Sequence, residues 1–129
     1  MKQLGVTILF IVPIFCMGQN CKDLPISFTS FTDALSHLYQ TEFPFSDERR
    51  ETIQSLSEKK NIKLVQGSYF SCDKKTGYAV FIFLPGDIFI YDKIPVKIWE
   101  KYKTCPSTDE YYQTIILTNY KYLFKQLRP

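Results

Sequence analysis

Hydrophobic and polar positions divide this chain into stretches of different period. Residues 4–17 form an almost unbroken apolar run. Asp23-Leu24-Pro25 then reads as extended chain. Behind Ser30, a residue suited to capping, Phe31, Ala34, Leu35 and Leu38 recur at helical spacing with Asp33 in the first turn, so a helix is expected to open there. Phe43-Pro44-Phe45 breaks it. Residues 46–60 are highly charged and offer only Ile53 and Leu56 for burial, which predicts a surface helix or an irregular excursion.

Strand patterns follow. Residues 62–71 read as a strand, and Asp73-Lys74-Lys75-Thr76-Gly77 as a turn in which Gly77 takes a left-handed conformation. Residues 78–84 are apolar at both alternating sets of positions, the pattern of a central strand covered on both faces. Leu84-Pro85-Gly86-Asp87 predicts a tight turn, from which residues 88–91 return antiparallel. Pro95 is placed at the first position of a helix whose inward stripe is Val96, Trp99 and Tyr102, and Pro106 ends it. Ser107 and Glu110 form a capping box for a second helix, with Tyr111, Tyr112, Ile115 and Ile116 on one face and Asn119 at its end. Tyr120, Tyr122 and Phe124 alternate with Lys121, Leu123 and Lys125 in a last strand over 120–125.

These elements predict an α+β fold: an antiparallel sheet of three to four strands packed on the two C-terminal-half helices, with an added N-terminal helix. The expected core is Leu35, Leu38, Val80, Phe81, Ile82, Phe89, Trp99, Tyr112 and Ile116.

The N-terminal run changes the picture of where the protein works. Lys2 supplies a positive start, and Cys16 and Gly18 are small residues where a signal peptidase reads, so residues 1–18 are expected to be a signal peptide cleaved near Gly18-Gln19. The run is shorter than the roughly 20 residues that span a bilayer. The mature chain is then expected outside the cytoplasm, periplasmic or secreted, without a membrane span. Cys21, Cys72 and Cys105 remain, an odd number. Three pairings can be drawn and the sequence does not choose among them. Cys21–Cys72 is preferred because it would tie the N-terminus to the sheet, leaving Cys105 as a free thiol or a buried filler.

Composition adds little direction. The chain carries a formal net charge of +3 and 11 Phe and 9 Tyr, suited to a compact domain and demanding neither a nucleic-acid nor a membrane partner. His37 is the only histidine, and nothing places it beside Cys72 or Cys105 as a nucleophile–base pair would need. No Cys-x-x-Cys or His-Glu-x-x-His spacing exists, so neither metal nor cofactor is expected. Asp73, Asp87 and Asp92 flank turns, where acids ordinarily stop strands.

Two surfaces are readable. Lys97 and Lys101 lie one helical turn apart with Lys103 nearby, and Lys121, Lys125 and Arg128 lie beside Tyr120 and Tyr122; that pairing suits single-stranded nucleic acid or a lysine-guarded strand edge. Tyrosines also gather near element ends, among them Tyr69, Tyr91, Tyr102, Tyr111, Tyr112, Tyr120 and Tyr122. Any left exposed would make contact surface with a polar tip. The candidate binding surface is therefore Tyr91, Tyr102, Tyr111, Tyr120, Tyr122, Lys97, Lys101 and Lys121.

The order Asp73 with Thr76-Gly77, Pro85-Gly86, Phe89-Ile90-Tyr91, Ile94-Pro95, Trp99, Ser107, Tyr111-Tyr112, Ile116 and Tyr120 resembles the KTSC domain, a short module named for its place at the end of some lysyl-tRNA synthetases. The resemblance covers 62–129, with 19–61 as an N-terminal helical extension and charged segment. Cys21 to Pro25 is also similar to the Cys-x-x-Leu-Pro start of small secreted members. The resemblance implies no settled activity, and RNA binding by association. Asp109 and Glu110 stand where the family has glycine and a basic residue, and acids repel phosphate. The expectation is an exported, non-enzymatic module that binds a protein or ligand outside the cytoplasm; the alternative is RNA or single-stranded nucleic-acid binding.

Overall fold

The computed structural model describes residues 19–52 and 63–127. The expected leader, the 53–60 part of the charged stretch with Ile53 and Leu56, and Arg128 lie outside the described residues. The described elements are β1 (Gln19–Asn20), a 3-10 turn (Cys21–Asp23), α1 (Phe31–Gln40), β2 (Thr41–Glu42), β3 (Phe45–Arg50), β4 (Leu64–Ser71), β5 (Thr76–Phe83), β6 (Asp87–Pro95), α2 (Val96–Thr104), α3 (Thr108–Tyr111) running through a π-helical turn (Tyr112–Ile116) into α4 (Leu117–Asn119), and β7 (Tyr122–Gln126).

The main sheet has five strands in the order β3-β4-β5-β6-β7, each antiparallel to its neighbour, and β1 pairs β2 in parallel apart from it. The sheet is one strand larger than the three to four expected. The addition is β3, drawn from the charged stretch read as a surface helix or excursion.

Strand β5 occupies the centre, as its doubly apolar pattern requires. Ala79 and Phe81 point to one face and Val80 to the other, each no more than 1% exposed. On the first face Tyr69, Phe81, Tyr91 and Ile94 pack against Trp99, Tyr102, Tyr112 and Ile116 from α2 and the helical run after it. On the second, Val80 and Ile90 meet Ala34 and Leu38 of α1, with Phe28, Phe31, Leu35 and Phe43 around them. Sheet and helices thus form three layers. All nine expected core residues join one of these two clusters, with Leu35, Ile82 and Phe89 half-buried at the margins.

Local signals work in part as expected. Ser30 caps α1 by accepting the Asp33 amide hydrogen bond at 3.1 Å. Ser107 likewise accepts from Glu110 N at 3.4 Å. Pro95 is the N-cap of α2 and the last residue of β6, one position earlier than expected, with Val96 opening the helix. The Leu84–Pro85 peptide in the β5–β6 turn is cis.

The β4–β5 turn departs from expectation. Its left-handed residue is Lys74 (φ 62°), while Gly77 lies inside β5. Side chains hold the turn: Ser71 Oγ accepts from Lys74 N at 2.8 Å and donates to Thr76 O at 2.6 Å, and Asp73 Oδ1 accepts from Lys75 N and Thr76 N. Gly77 has a different task, since a Cβ there would press on the Phe70 carbonyl of β4. Opposite it, the register shift sets Asp92 and Lys93 together against Tyr78, a bulge in which Lys93 takes φ 55°.

Candidate binding surfaces

The eight surface candidates separate by depth. Tyr91 and Tyr102 are core residues, 0% and 1% exposed, and so contribute no surface. Tyr91 Oη shares a 2.7 Å hydrogen bond with Tyr112 Oη, and burial raises both phenols above their ordinary range. Tyr102 lies over Gly67, where a Cβ would fall 2.7 Å from its ring. Tyr111 and Tyr120 are half-buried beside the same cluster, and Tyr111 Oη donates to Ile98 O at 3.3 Å. Lys97, Lys101 and Lys121 are exposed.

Tyr122 alone among the five tyrosines is exposed, at 38%. Its ring leans on Phe89 at 5.3 Å, and Lys125 Nζ lies 5.5 Å from its centroid. Around it, Leu117, Leu123 and Leu127 are also exposed. Leu123 is pushed out by a register shift: Ile90 pairs Phe124 and Tyr91 pairs Tyr122, leaving Leu123 as the extra residue of a bulge. The stretch 117–127, from α4 through the edge strand β7, therefore offers aliphatic and aromatic surface with Lys121 and Lys125 and no acid.

The opposite edge is built from charge. Along β3 the side chains alternate half-buried and exposed, with Phe45, Asp47 and Arg49 facing inward. Asp47 Oδ2 accepts from Trp99 Nε1 at 3.0 Å and pairs Lys103 Nζ at 2.8 Å. Arg49 Nη1 donates to the carbonyls of Tyr102, Lys103 and Cys105 at 2.9, 3.1 and 2.7 Å. Those are acceptors at the C-terminus of α2, of which the Tyr102 carbonyl also takes the Cys105 N–H at 3.4 Å, and a cation there meets the negative end of the helix dipole. Inward charges of this kind order an edge strand and blunt its pairing edge.

Burial opposes ionisation of Asp47, but Lys103, the Trp99 N–H and the Glu48 amide outweigh it and hold the carboxyl below its ordinary value. A depressed carboxyl stabilises the fold above its unfolded pKa, and that contribution disappears as pH falls through the folded one. Asp47→Asn is therefore expected to destabilise at pH 7 by about 1–3 kcal/mol. The difference from wild type should shrink below about pH 4. Urea melts at pH 7 and pH 3 check this, and a difference constant with pH would contradict it.

The three described cysteines resolve into one pair and one thiol. Cys21 and Cys72 form a disulfide across 51 residues of sequence, and Cys105 is free. Cys105 follows α2 on one side of the sheet, whereas His37 sits on α1 on the other, 3.3 Å from Asp33 and stacked on Phe28. The two do not meet.

Three open clefts border the sheet. One of about 360 Å³ lies beside the disulfide, with Asp73, Tyr78 and Asp92 in its lining. Another, about 440 Å³, lies at the β5–β6 turn and is lined by Phe83, Pro85 and Phe89. The third, about 380 Å³, is lined by Tyr39, Phe70, Ser46, Ser68, Asp47 and Glu48. Sequence reasoning missed Tyr39 and Glu48 as a pair. The available signal was an aromatic on the polar side of α1, off the Phe31–Ala34–Leu35–Leu38 stripe. No helix of the described residues is long and apolar enough to cross a membrane, and no group of three or more metal-ligating side chains occurs among them. Comparison with protein-family models, curated proteins and solved structures gives no match for this chain.

Proposed function

We propose that the chain is an exported, non-enzymatic KTSC-like module that binds a partner through the surface around β7. The observation that carries this reading is the distribution of exposed large apolar side chains. Among the described residues seven are exposed, and four of them, Leu117, Tyr122, Leu123 and Leu127, fall within 117–127. Scattered exposed apolar residues are ordinary, but a concentration in one stretch, from α4 through the edge strand β7 to the residue after it, suits a contact surface. Tyr111 and Tyr120 are its half-buried neighbours, and Lys121 and Lys125 supply its charge, while Lys97 and Lys101 lie apart from it on α2, the helix that β3 holds at the opposite edge. Export is supported by the Cys21–Cys72 disulfide, since such bonds persist in oxidising compartments.

Two experiments test the reading. Expression of the full chain in a secretion-competent host, followed by fractionation and intact mass, is expected to give a product outside the cytoplasm that begins at Gln19. Its mass should be two hydrogens below that of the reduced form. An uncleaved, reduced, cytoplasmic product would remove export. For the surface, a photo-reactive side chain at Leu123 is expected to cross-link a discrete extracytoplasmic partner, and the same group at Lys22 is not. Binding that persists in high salt marks an apolar contact. A steep loss with salt, with displacement by a single-stranded oligonucleotide, would establish the nucleic-acid alternative instead.

A further inference from the structure

The face of the sheet beneath α1 is covered only in part. Helix α1 makes its main contacts with β6 and β7, at one side of the sheet, so the β3–β4 edge keeps an open strip. The register sets Ser46 opposite Phe70 and Glu48 opposite Ser68, which places these four side chains together on that strip. Tyr39, in the last turn of α1, stands over it and closes the cleft of about 380 Å³. That volume lies within the range of small-ligand sites.

The Tyr39 ring is held yet open. It meets Phe70 edge-on at 5.2 Å, and Phe70 is backed by Phe43 at 5.3 Å, but Tyr39 remains 52% exposed. An aromatic side chain fixed by its neighbours binds without the entropic cost of ordering it first. The charge of the lining has one sign: Glu48 contributes a carboxylate on this face, and no lysine or arginine lines the cleft. Asp47 is committed to Trp99 and Lys103. Glu48 pairs with Arg50 at 3.3 Å, with the side chains 53% and 68% exposed. An exposed pair of this kind is weak and readily exchanged for another cation.

We infer that this cleft binds an alkylammonium group, seated on the Tyr39 ring with its charge toward the Glu48 carboxylate. The negative face of an aromatic ring and a nearby carboxylate both favour a cation, and both disfavour an anion. A neutral ligand would gain from the ring and the Ser46 hydroxyl but not from the charge, Ser68 being buried with its hydroxyl accepting from Gln66 Nε2 at 3.2 Å. The site is independent of the surface around β7, which lies at the other edge of the sheet, and it stands or falls separately from the proposed function.

The test is a titration of the disulfide-bonded full chain followed through backbone amide chemical shifts. Four probes are used: choline, its neutral isostere 3,3-dimethylbutan-1-ol, N-acetyl-lysine N-methylamide, and glucose as an uncharged polar control. Choline is expected to shift the amides of Ser46, Glu48 and Ser68 saturably. The neutral isostere, and choline with Tyr39→Ala or Glu48→Gln, should each bind about two- to fivefold more weakly. Both positions are solvent-exposed, so amide shifts remote from the cleft should be unchanged and serve as the folding control. Tighter binding of the lysine amide than of choline assigns the cleft to a side chain of a partner protein; the reverse assigns it to a free quaternary amine. Equal binding of the isostere, no saturable shift at these amides, or the same shifts produced by glucose but not by choline would each overturn the inference.

Discussion

Replacing Trp99 by alanine is expected to lower the unfolding free energy by about 3–5 kcal/mol, the range for truncating a large buried aromatic. Trp99 is 1% exposed and joins three parts of the first core. Its ring stacks on Tyr69 of β4 at 5.4 Å and on Tyr102 of its own helix at 5.1 Å. Its Nε1 donates to Asp47 of β3 at 3.0 Å. The substitution therefore opens a cavity between α2 and the sheet and also loosens the edge strand. Trp99→Phe separates the two effects, because it keeps most of the ring and removes the hydrogen bond. It should cost about 1.5 kcal/mol, the low end for a bond to a charged acceptor, since Asp47 keeps Lys103. Denaturant melts of both variants measure this. A loss under about 1 kcal/mol for the alanine variant is incompatible with this packing.

Removing the disulfide is the second large effect. Cys21 and Cys72 close a loop with a sequence separation of 51, for which restriction of the unfolded chain amounts to about 4 kcal/mol. Cys21→Ser with Cys72→Ser should lower stability by that order, and reduction of the native protein should do the same. The effect has a place as well as a size. The pair anchors the 3-10 turn, itself capped by Asn20 and Asp23, to the end of β4. Beyond the two residue pairs of β1 with β2, few backbone hydrogen bonds hold that segment. Hydrogen exchange in the double variant should show early loss of protection over 19–25, while β5 and β6 retain theirs. Unchanged stability with unchanged exchange would contradict a structural role for this bond.

Most of the fold was readable because it follows from local pattern. The two-sided apolar run of β5 had to be central, since either face left in water would expose large aliphatic and aromatic side chains. The Trp99 and Tyr102 stripe and the Ser30 and Ser107 caps are set within a turn or two of chain, where spacing alone decides what can touch. Strand β3 was not readable in this way. Its sequence, Phe-Ser-Asp-Glu-Arg-Arg, has one apolar residue, and its inward side chains are satisfied by groups more than fifty positions away, as when Arg49 reaches Tyr102 and Cys105. A charge run looks like solvated surface until its partners are known.

The surface candidates divide for the same reason. Nine tyrosines could be counted and seven of them placed near element ends, but which stay exposed depends on what packs over them. Tyr91 and Tyr102 went inside because Tyr112 offers a hydroxyl partner to one and Gly67 leaves room for the other.

What the sequence determined by itself was the element order from β4 onward, the centre of the sheet, the two helix caps and most of the core, all consequences of short-range periodicity and side-chain chemistry. The tertiary structure decided the fifth strand, the disulfide pairing, the left-handed Lys74 in place of Gly77, and the placing of Tyr39 and Glu48 along one cleft. Each of these depends on groups brought together from distant positions, so its energy has no counterpart in any one stretch of the chain.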